Sequence, residues 1–483
     1  MCFPLKNVGL IFSALTLSTL TFSSAADELP YQWLAGDHHV HSQFSAKWNV
    51  SFAPPLPIFA GDAKYATNVN AKMAAYHGLS WMVTTDHGGP HHSQVNFDNA
   101  YPQLLAARHQ VPELLIYYGM EFDVPGARHA TLMIPYSADE AEQLRLIESR
   151  FNRREAYPKT EEAKRDNNDL MLEALAYMQQ QTLKPIVIAN HPGRKAPALG
   201  QYQKVTPAKL RGWQDTAPDV LIGMTGAPGH QASTLNQDDS IKPDGVRAEY
   251  YESPTLGGYD QMTAQLGGVW DSFIGEGRHW WISGVSDSHG HYSEGRTDFW
   301  PGEYTKTYVY AQKTYTSVME NLRAGHSFVT TGDLIDALDI RVSNSHTGKS
   351  ASLGDTLTVQ QGQSVDITIR FHDPDQPNFA GRTPQVARVD VIMGNVSTTA
   401  VAPDTNTNPS TKVVNRYYAE DWQSQGQTHT VRLRLDNLNQ SQYLRIRGTN
   451  LRDELEPQPD GKGENPWDDL WFYSNPVFIQ VSR

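Results

Sequence analysis

The sequence has almost no cysteine, no excess of positive charge and no long run of apolar residues. Its only cysteine, Cys2, precedes a short apolar stretch near the N-terminus. Because we expect that stretch to be removed on export, the mature chain is predicted to contain no thiol. Disulfides, cysteine–zinc sites and thiol catalysis are thereby excluded. The 40 basic and 53 acidic residues give a net charge of -13, which argues against a dedicated nucleic-acid surface.

The first 26 residues have the composition of an export signal. Lys6 precedes the apolar stretch 8–22, and the small residues 23–26 follow it. A membrane anchor is the alternative, but the stretch is short and rich in Ser and Thr for a bilayer span. We therefore expect a signal peptide over residues 1–26, a bacterial periplasmic or secreted location, and no membrane span after cleavage.

The pattern along the chain predicts an α/β region followed by a β region. Between about residues 30 and 330, apolar strand candidates alternate with helical stretches, which is typical of βα units around a parallel sheet. Within it, the charged segment 139–181 predicts a helical insertion, either a solvated helical pair or a lid. After residue 335, short β-type runs with turn signals predict a smaller antiparallel β-sandwich domain. We therefore expect domains at 27–334 and 335–483.

Four short motifs place histidine or carboxylate where the chain leaves a predicted strand. Each is common by chance, but together they match the converging imidazole and carboxylate ligands of a multinuclear metal hydrolase at one end of a barrel. In the first and last motifs, residues two apart face the same side of an extended chain. The motifs are Gly36-Asp37-His38-His39-Val40-His41, Thr85-Asp86-His87, Asn190-His191-Pro192 and Ser286-Asp287-Ser288-His289.

Two further residues extend this ligand set. Glu121 ends a predicted strand and could bridge two metals, while His129 begins the next strand and could face it; a surface Glu and a half-buried His are the alternatives.

In the second motif, either Asp86 or His87 binds metal while the other orients a ligand ring, unless the Asp only caps a helix.

Three residues near the motifs are candidates for contacting substrate. Arg194 and Lys195 follow His191 directly and could attract an anionic substrate, although basic loop residues are more often only solvated. His230 follows a predicted strand and could contact substrate at the strand-end loop.

In this order, the motifs resemble those of the PHP family, named for polymerase and histidinol phosphatase. The resemblance implies a distorted (β/α)7 TIM-like barrel with two or three divalent metal ions, which could be zinc, manganese or iron. One departure is that Ala46, in Ser45-Ala46-Lys47, stands where many members have aspartate. The ligands implied by the resemblance are His39, His41, His87, Glu121, His129, His191, Asp287 and His289, with Asp86 beside them.

The expected activity is metal-dependent hydrolysis of a small phosphorylated substrate, either a monoester or a diester. Asp287 would act at the metal site, and His289 or His191 would protonate the leaving group. Metal hydroxides also attack carbonyl carbon, so an amidohydrolase or lactonase is an alternative. A non-catalytic metal- or ligand-binding protein is the third hypothesis.

Overall fold

The computed structural model describes residues 1, 29–397, 399 and 401–482. The predicted signal peptide, residues 1–26, lies outside the described residues except for Met1. Among the described residues, no helix combines the length and apolar character that crossing a bilayer requires.

Strands and helices alternate in the described chain up to residue 324. After residue 324, all the regular secondary-structure elements of the described chain are strands. The strands are β1 (Gln32–Val40), β2 (Lys47–Asn49), β3 (Leu56–Ile58), β4 (Trp81–Thr84), β5 (Leu115–Tyr117), β6 (Gly119–Asp123), β7 (His129–Met133), β8 (Ile186–Ala189), β9 (Leu221–Ala227), β10 (Trp281–Gly284), β11 (Thr305–Ala311), β12 (Ser327–Thr331), β13 (Ala337–Asn344), β14 (Ser350–Ala351), β15 (Thr356–Gln360), β16 (Val365–His372), β17 (Arg388–Asn395), β18 (Lys412–Tyr418), β19 (Gln423–Gln425), β20 (Thr428–Leu435), β21 (Gln442–Thr449), β22 (Trp471–Ser474) and β23 (Val477–Ser482). The α-helices are α1 (Thr67–Tyr76), α2 (His92–Val95), α3 (Tyr101–Gln110), α4 (Glu140–Phe151), α5 (Glu162–Arg165), α6 (Asn168–Gln179), α7 (Pro207–Thr216), α8 (Gln261–Ala264), α9 (Val269–Gly275) and α10 (Tyr315–Ala324).

Two sheets carry the strands that lead into the motifs. The larger has the order β15-β23-β21-β22-β12-β11-β1-β4-β5, and β17 and β18 join it through β21. The smaller has the order β10-β9-β8-β7-β6. Isolated bridges connect the two sheets where the motif strands end, pairing Val40 with Ser288 and His87 with Glu121.

The predicted (β/α)7 TIM-like barrel followed by a separate β-sandwich is wrong. The described residues form a mixed α/β structure with large sheets and contain no closed barrel. Strand β1 pairs antiparallel with β11, β11 with β12, and β12 with β22, so this sheet continues into the C-terminal strands instead of closing. The β6–β7 and β7–β8 pairs are antiparallel as well. The alternation of strands and helices along the sequence does not determine which strands pair with each other, nor whether they pair in parallel or antiparallel.

Residues beyond 335 form two β layers, one of which belongs to the larger sheet. The other layer has the order β14-β13-β16-β20-β19. Phe371 of β16 packs on Phe472 of β22, with ring centroids 6.3 Å apart. A buried ion pair also ties β21 to the first part of the chain, because Arg445 donates two hydrogen bonds of 2.8 Å to Asp271 of α9. The domain boundary near residue 335 stays a prediction.

Segment 139–181 contains the helices α4, α5 and α6, joined by short non-helical stretches. Helix α4 buries Ile147 and Phe151 on one face, and the side chain of Asn167 caps α6 by accepting a hydrogen bond from the Leu170 N–H. On the same buried face, Glu148 accepts a hydrogen bond from His92 at the start of α2. This pair fastens the insertion to the loop that follows the second motif.

The His92–Glu148 pair makes stability depend on pH. Burial alone would lower the pKa of His92, but the Glu148 carboxylate, 2.7 Å from Nδ1, outweighs burial and raises that pKa from 6.5 to about 9. A histidine whose pKa rises on folding stabilises the folded state. This stabilisation is fully present at pH values below the pKa in the unfolded chain, and it is lost as the pH rises through the pKa in the folded protein.

We therefore expect the free energy of unfolding to fall by about 3 kcal/mol more in the wild type than in His92→Gln between about pH 6 and pH 10. Urea denaturation across that range measures the difference. Parallel pH profiles for the two proteins would contradict the assignment.

Candidate metal centre

Strand β1 separates two neighbouring histidines onto opposite faces. His38 is buried between the sheets, with Nδ1 3.0 Å from the Thr131 hydroxyl and Nε2 2.7 Å from the Ser283 hydroxyl. His39 points the other way, and its Nε2 lies 2.9 Å from Nε2 of His41. The alternation of a strand therefore gives His38 a structural role and brings His39 and His41 together, as the first motif predicts.

Four imidazoles lie within 3.2 Å of Glu121 of β6, and that of His41 lies 3.6 Å away. Its Oε1 is 3.2 Å from His39 Nε2, 3.2 Å from His129 Nδ1 and 3.1 Å from His191 Nε2, and its Oε2 is 3.0 Å from His87 Nδ1. The antiparallel β6–β7 pair explains the approach of His129, which begins β7 close to the end of β6. Residues from four different strand ends thus converge on one carboxylate.

Asp287 is the second carboxylate at the centre. Its Oδ1 lies 3.1 Å from His39 Nε2 and 3.2 Å from His41 Nε2. Its Oδ2 lies 2.9 Å from Arg194 Nη2 and 3.2 Å from His230 Nε2. Asp287 has a left-handed backbone, with φ 51°, so the turn after β10 holds a conformation that is strained for a residue with a Cβ.

Asp62 stands at the outer side of the cluster, and the sequence motifs do not include it. Its Oδ2 is 3.7 Å from His289 Nε2 and 4.0 Å from His87 Nε2. The ring of His289 stacks on that of His41, with centroids 3.8 Å apart. A carboxylate is therefore present near these histidines although Ala46 replaces the aspartate of the resemblance.

Asp298, also outside the motifs, orients two parts of the site. Its Oδ2 accepts hydrogen bonds from the backbone N–H groups of His289, at 2.6 Å, and Gly290, at 3.0 Å. Its Oδ1 contacts Nδ1 of His230. This contact directs Nε2 of His230 toward Asp287, so His230, predicted to bind substrate, lies among the candidate ligands.

Asp86 lies beside the cluster and faces the turn after β1. The backbone N–H and hydroxyl of Ser42 donate to its two oxygens, at 2.5 and 2.8 Å. In the same turn the Ser45 hydroxyl lies 2.8 Å from His41 Nδ1 and accepts a 2.8 Å hydrogen bond from the His87 N–H. This placement fits an orienting role for Asp86, and its role as a ligand stays a prediction.

The central carboxylates are held in their charged form. Burial opposes ionisation of Glu121, but the imidazoles, those of His129 and His39 first, outweigh burial and hold its pKa well below the usual range. Burial likewise opposes ionisation of Asp287. His39 and His230 outweigh that effect and hold the pKa of Asp287 well below its usual range. Burial lowers the pKa of His191 to about 3, with the Arg194 guanidinium adding to the effect. The carboxylates around them have the opposite effect on two other histidines, because Asp287 and Glu121 raise the pKa of His39, and Asp287 and Asp298 raise that of His230 to about 9. Metals bind ionised carboxylates and unprotonated imidazole nitrogens, so a metal ion would displace protons from His39 and His230.

The donor set fits a metal ion. Within the described residues, Asp287 Oδ1 and His87 Nδ1 are buried and make no hydrogen bond of suitable geometry, although charged or polar atoms of the neighbouring side chains lie within 3.2 Å. Ligand atoms about 2.1 Å from a tetrahedral metal lie about 3.4 Å apart. This spacing is close to the distances between the carboxylate oxygens of Glu121 and Asp287 and the imidazole nitrogens around them. The groups whose ligand atoms lie within 4.8 Å of one another include His39 with His41, Glu121 and Asp287; Glu121 with His129 and His191; His41 with His87 and His289; His87 with Asp123 and His129; and His230 with His289 and Asp298.

A cavity of about 230 Å³ opens onto this centre. It is small and polar, and two arginines, Arg194 and Arg296, stand among its walls. Lys195, the other basic residue predicted to bind substrate, is exposed and does not line it. The lining residues are Asp62, His87, Glu121, His129, His191, Arg194, His230, Asp287, His289, Arg296, Thr297 and Asp298.

No protein-family model matches the chain, and no curated protein matches it either. The buried clusters are compatible with metal binding.

Because Asp298 fixes the ring of His230, the Asp298→Asn substitution is expected to weaken metal binding by about 10- to 100-fold. Competition with a chelator of known affinity measures the change. Asp436→Asn, which alters an exposed carboxylate in the C-terminal strands, is the control. Unchanged affinity in Asp298→Asn would contradict the orienting role.

Proposed function

We propose that this chain is a metal-dependent hydrolase of phosphate esters. The observation that carries the proposal is the pair of buried, ionised carboxylates, Glu121 and Asp287, surrounded by histidines at the floor of a cavity whose walls carry arginine. The order of the motifs supports it, since they resemble those of the PHP family. An exported location, predicted from the first 26 residues, belongs to the same proposal.

The residues provide for two or three divalent ions. Glu121 belongs to two of the groups, one with His39 and His41 and one with His129 and His191. Oε1 of Glu121 lies nearest His39, His129 and His191, and Oε2 lies nearest His87 and His41. A carboxylate with histidines around both oxygens could contact two neighbouring ions. Another of the groups, without Glu121, contains His41, His87 and His289. Divalent ions held there would supply Lewis acidity toward a phosphoryl group.

Arg194 and His289 have distinct roles in this proposal. Arg194 pairs with Asp287 and also lines the cavity, so its guanidinium can contact anionic ester oxygens. In His289, Nδ1 lies 2.9 Å from the backbone carbonyl of Asp287, an acceptor only, so Nδ1 carries the proton and Nε2 presents a lone pair. His289 can therefore bind metal or accept a proton at Nε2. To protonate a leaving group, His289 or His191 needs a second proton.

The first test combines metal analysis with two esters. We expect two or more divalent ions per chain, release of p-nitrophenol from p-nitrophenyl phosphate or its bis ester, and a loss of about 100-fold or more in His39→Ala. The control is His38→Gln, because His38 is the neighbouring residue on the same strand and faces away from the cluster.

Two results would contradict the proposal. Metal without turnover of either ester would favour an amide or lactone substrate, or a binding protein. Absence of metal after reconstitution would remove the basis for every one of these metal-dependent activities.

A second test separates the two predicted substrate-binding cations. Arg194→Gln is expected to lower kcat/KM for the preferred ester by about 100-fold, because a preorganised charge that faces the reacting group is lost. Lys195→Gln is the matched control, and its exposed side chain predicts a change of less than about threefold. Equal effects of the two substitutions would contradict the role of Arg194.

A further inference from the structure

The segment 457–469 docks on the loop that follows His230. Asp460 donates its backbone N–H to the Thr255 carbonyl, at 2.7 Å, and accepts the Thr255 hydroxyl at 2.6 Å. Gly463 donates its N–H to the Gly245 carbonyl, at 2.9 Å. The C-terminal part of the chain therefore contacts, through backbone and side chain, a loop that begins at His230 of the candidate site.

Arg247 stands at the centre of this contact with a fully buried guanidinium. Its Nη1 lies 3.2 Å from Glu464, 3.5 Å from Asp469 and 3.7 Å from Asp460. All three carboxylates come from the segment 457–469. A buried guanidinium needs such compensation, because an unpaired charge away from water is strongly unfavourable.

The other side of Arg247 leads to His230. Its Nε donates to the Gln231 side-chain carbonyl at 2.7 Å, and the Gln231 amide in turn donates to the Pro228 carbonyl at 2.7 Å. The N–H of Ala248, next to Arg247, donates to the His230 carbonyl at 3.1 Å. His230 itself has a left-handed backbone, with φ 58°. Because that conformation is unfavourable, the surrounding hydrogen bonds must maintain it.

We propose that Arg247 is a positioning residue through which the segment 457–469 holds His230 against Asp287. The C-terminal β region thereby helps to build the metal centre, although it contributes none of the histidines there. The consequence for catalysis rests on the proposed function, whereas the mechanical coupling does not. A purely structural clamp would instead weaken the whole fold without a particular effect at His230.

The test compares two pairs of variants in the full mature chain. Arg247→Met removes the guanidinium, and its control, Arg445→Met, breaks the equally buried pair with Asp271. Glu464→Gln is a milder change, because it alters only one of the carboxylates that surround Arg247. Its control is Glu456→Gln, since the Glu456 carboxylate pairs with a different arginine, Arg447. Hydrogen–deuterium exchange of the peptide 228–236 is measured by mass spectrometry. Visible absorption of the Co²⁺-loaded proteins reports the ligand geometry.

We expect amide exchange in 228–236 to rise about tenfold in Arg247→Met and by a smaller factor in Glu464→Gln, since charge-assisted hydrogen bonds are lost. The controls should leave that peptide unchanged, and only Arg247→Met and Glu464→Gln should shift the Co²⁺ bands. If Arg247→Met does not fold, the exchange measured in Glu464→Gln decides alone whether the inference holds.

Wild-type exchange in 228–236 in Glu464→Gln, or an equal rise in the controls, would overturn the inference. A wild type that takes up no Co²⁺ would instead count against the proposed function, while the exchange data would still decide the coupling.

Discussion

The burial of two ionised carboxylates, Glu121 and Asp287, is the constraint on which the rest of this structure depends. Each loses hydration that only nearby positive charge, hydrogen bonds or a metal can replace. The imidazoles and Arg194 supply part of that compensation, at separations of about 3 Å. Their arrangement leaves buried ligand atoms without a hydrogen bond of suitable geometry among the described residues. A metal ion is the partner that would complete it.

The fold meets this constraint by ending many strands at one place. Strands β1, β4 and β8 deliver histidines where they end, β6 delivers Glu121, and the turn after β10 delivers Asp287. Strand β7 runs antiparallel to its neighbours, so its first residue, rather than its last, reaches the same edge. A closed barrel is not required for this convergence. Two sheets joined by short bridges at the motifs produce it.

The support behind these strand ends comes from much of the chain. Asp298 fixes the ring of His230, and Ser45 fixes that of His41. Asp86 holds the turn after β1 through Ser42. Through Arg247, in our inference, the C-terminal β region takes part as well. The larger sheet contains strands from both parts of the chain and so connects them.

The sequence predicts the centre better than the architecture around it. The spacing of His39 and His41, or of Asp287 and His289, is local information, because alternation along an extended chain decides which side chains meet. Asp62 and Asp298 belong to no motif, and only the folded chain brings them near the histidines. Sheet closure is a property of distant pairings such as β1 with β11, which no local pattern encodes. The barrel prediction is therefore wrong, whereas most of the residues that the motifs single out lie together in the structure.

Anomalous X-ray scattering from crystals of the metal-loaded protein tests the central claim most directly. The account predicts at least two peaks at the metal absorption edge, about 3.5 to 4 Å apart, with Glu121 between them and Asp287 beside one of them. Anomalous peaks confined to other parts of the molecule, or none at these carboxylates under saturating metal, would contradict it.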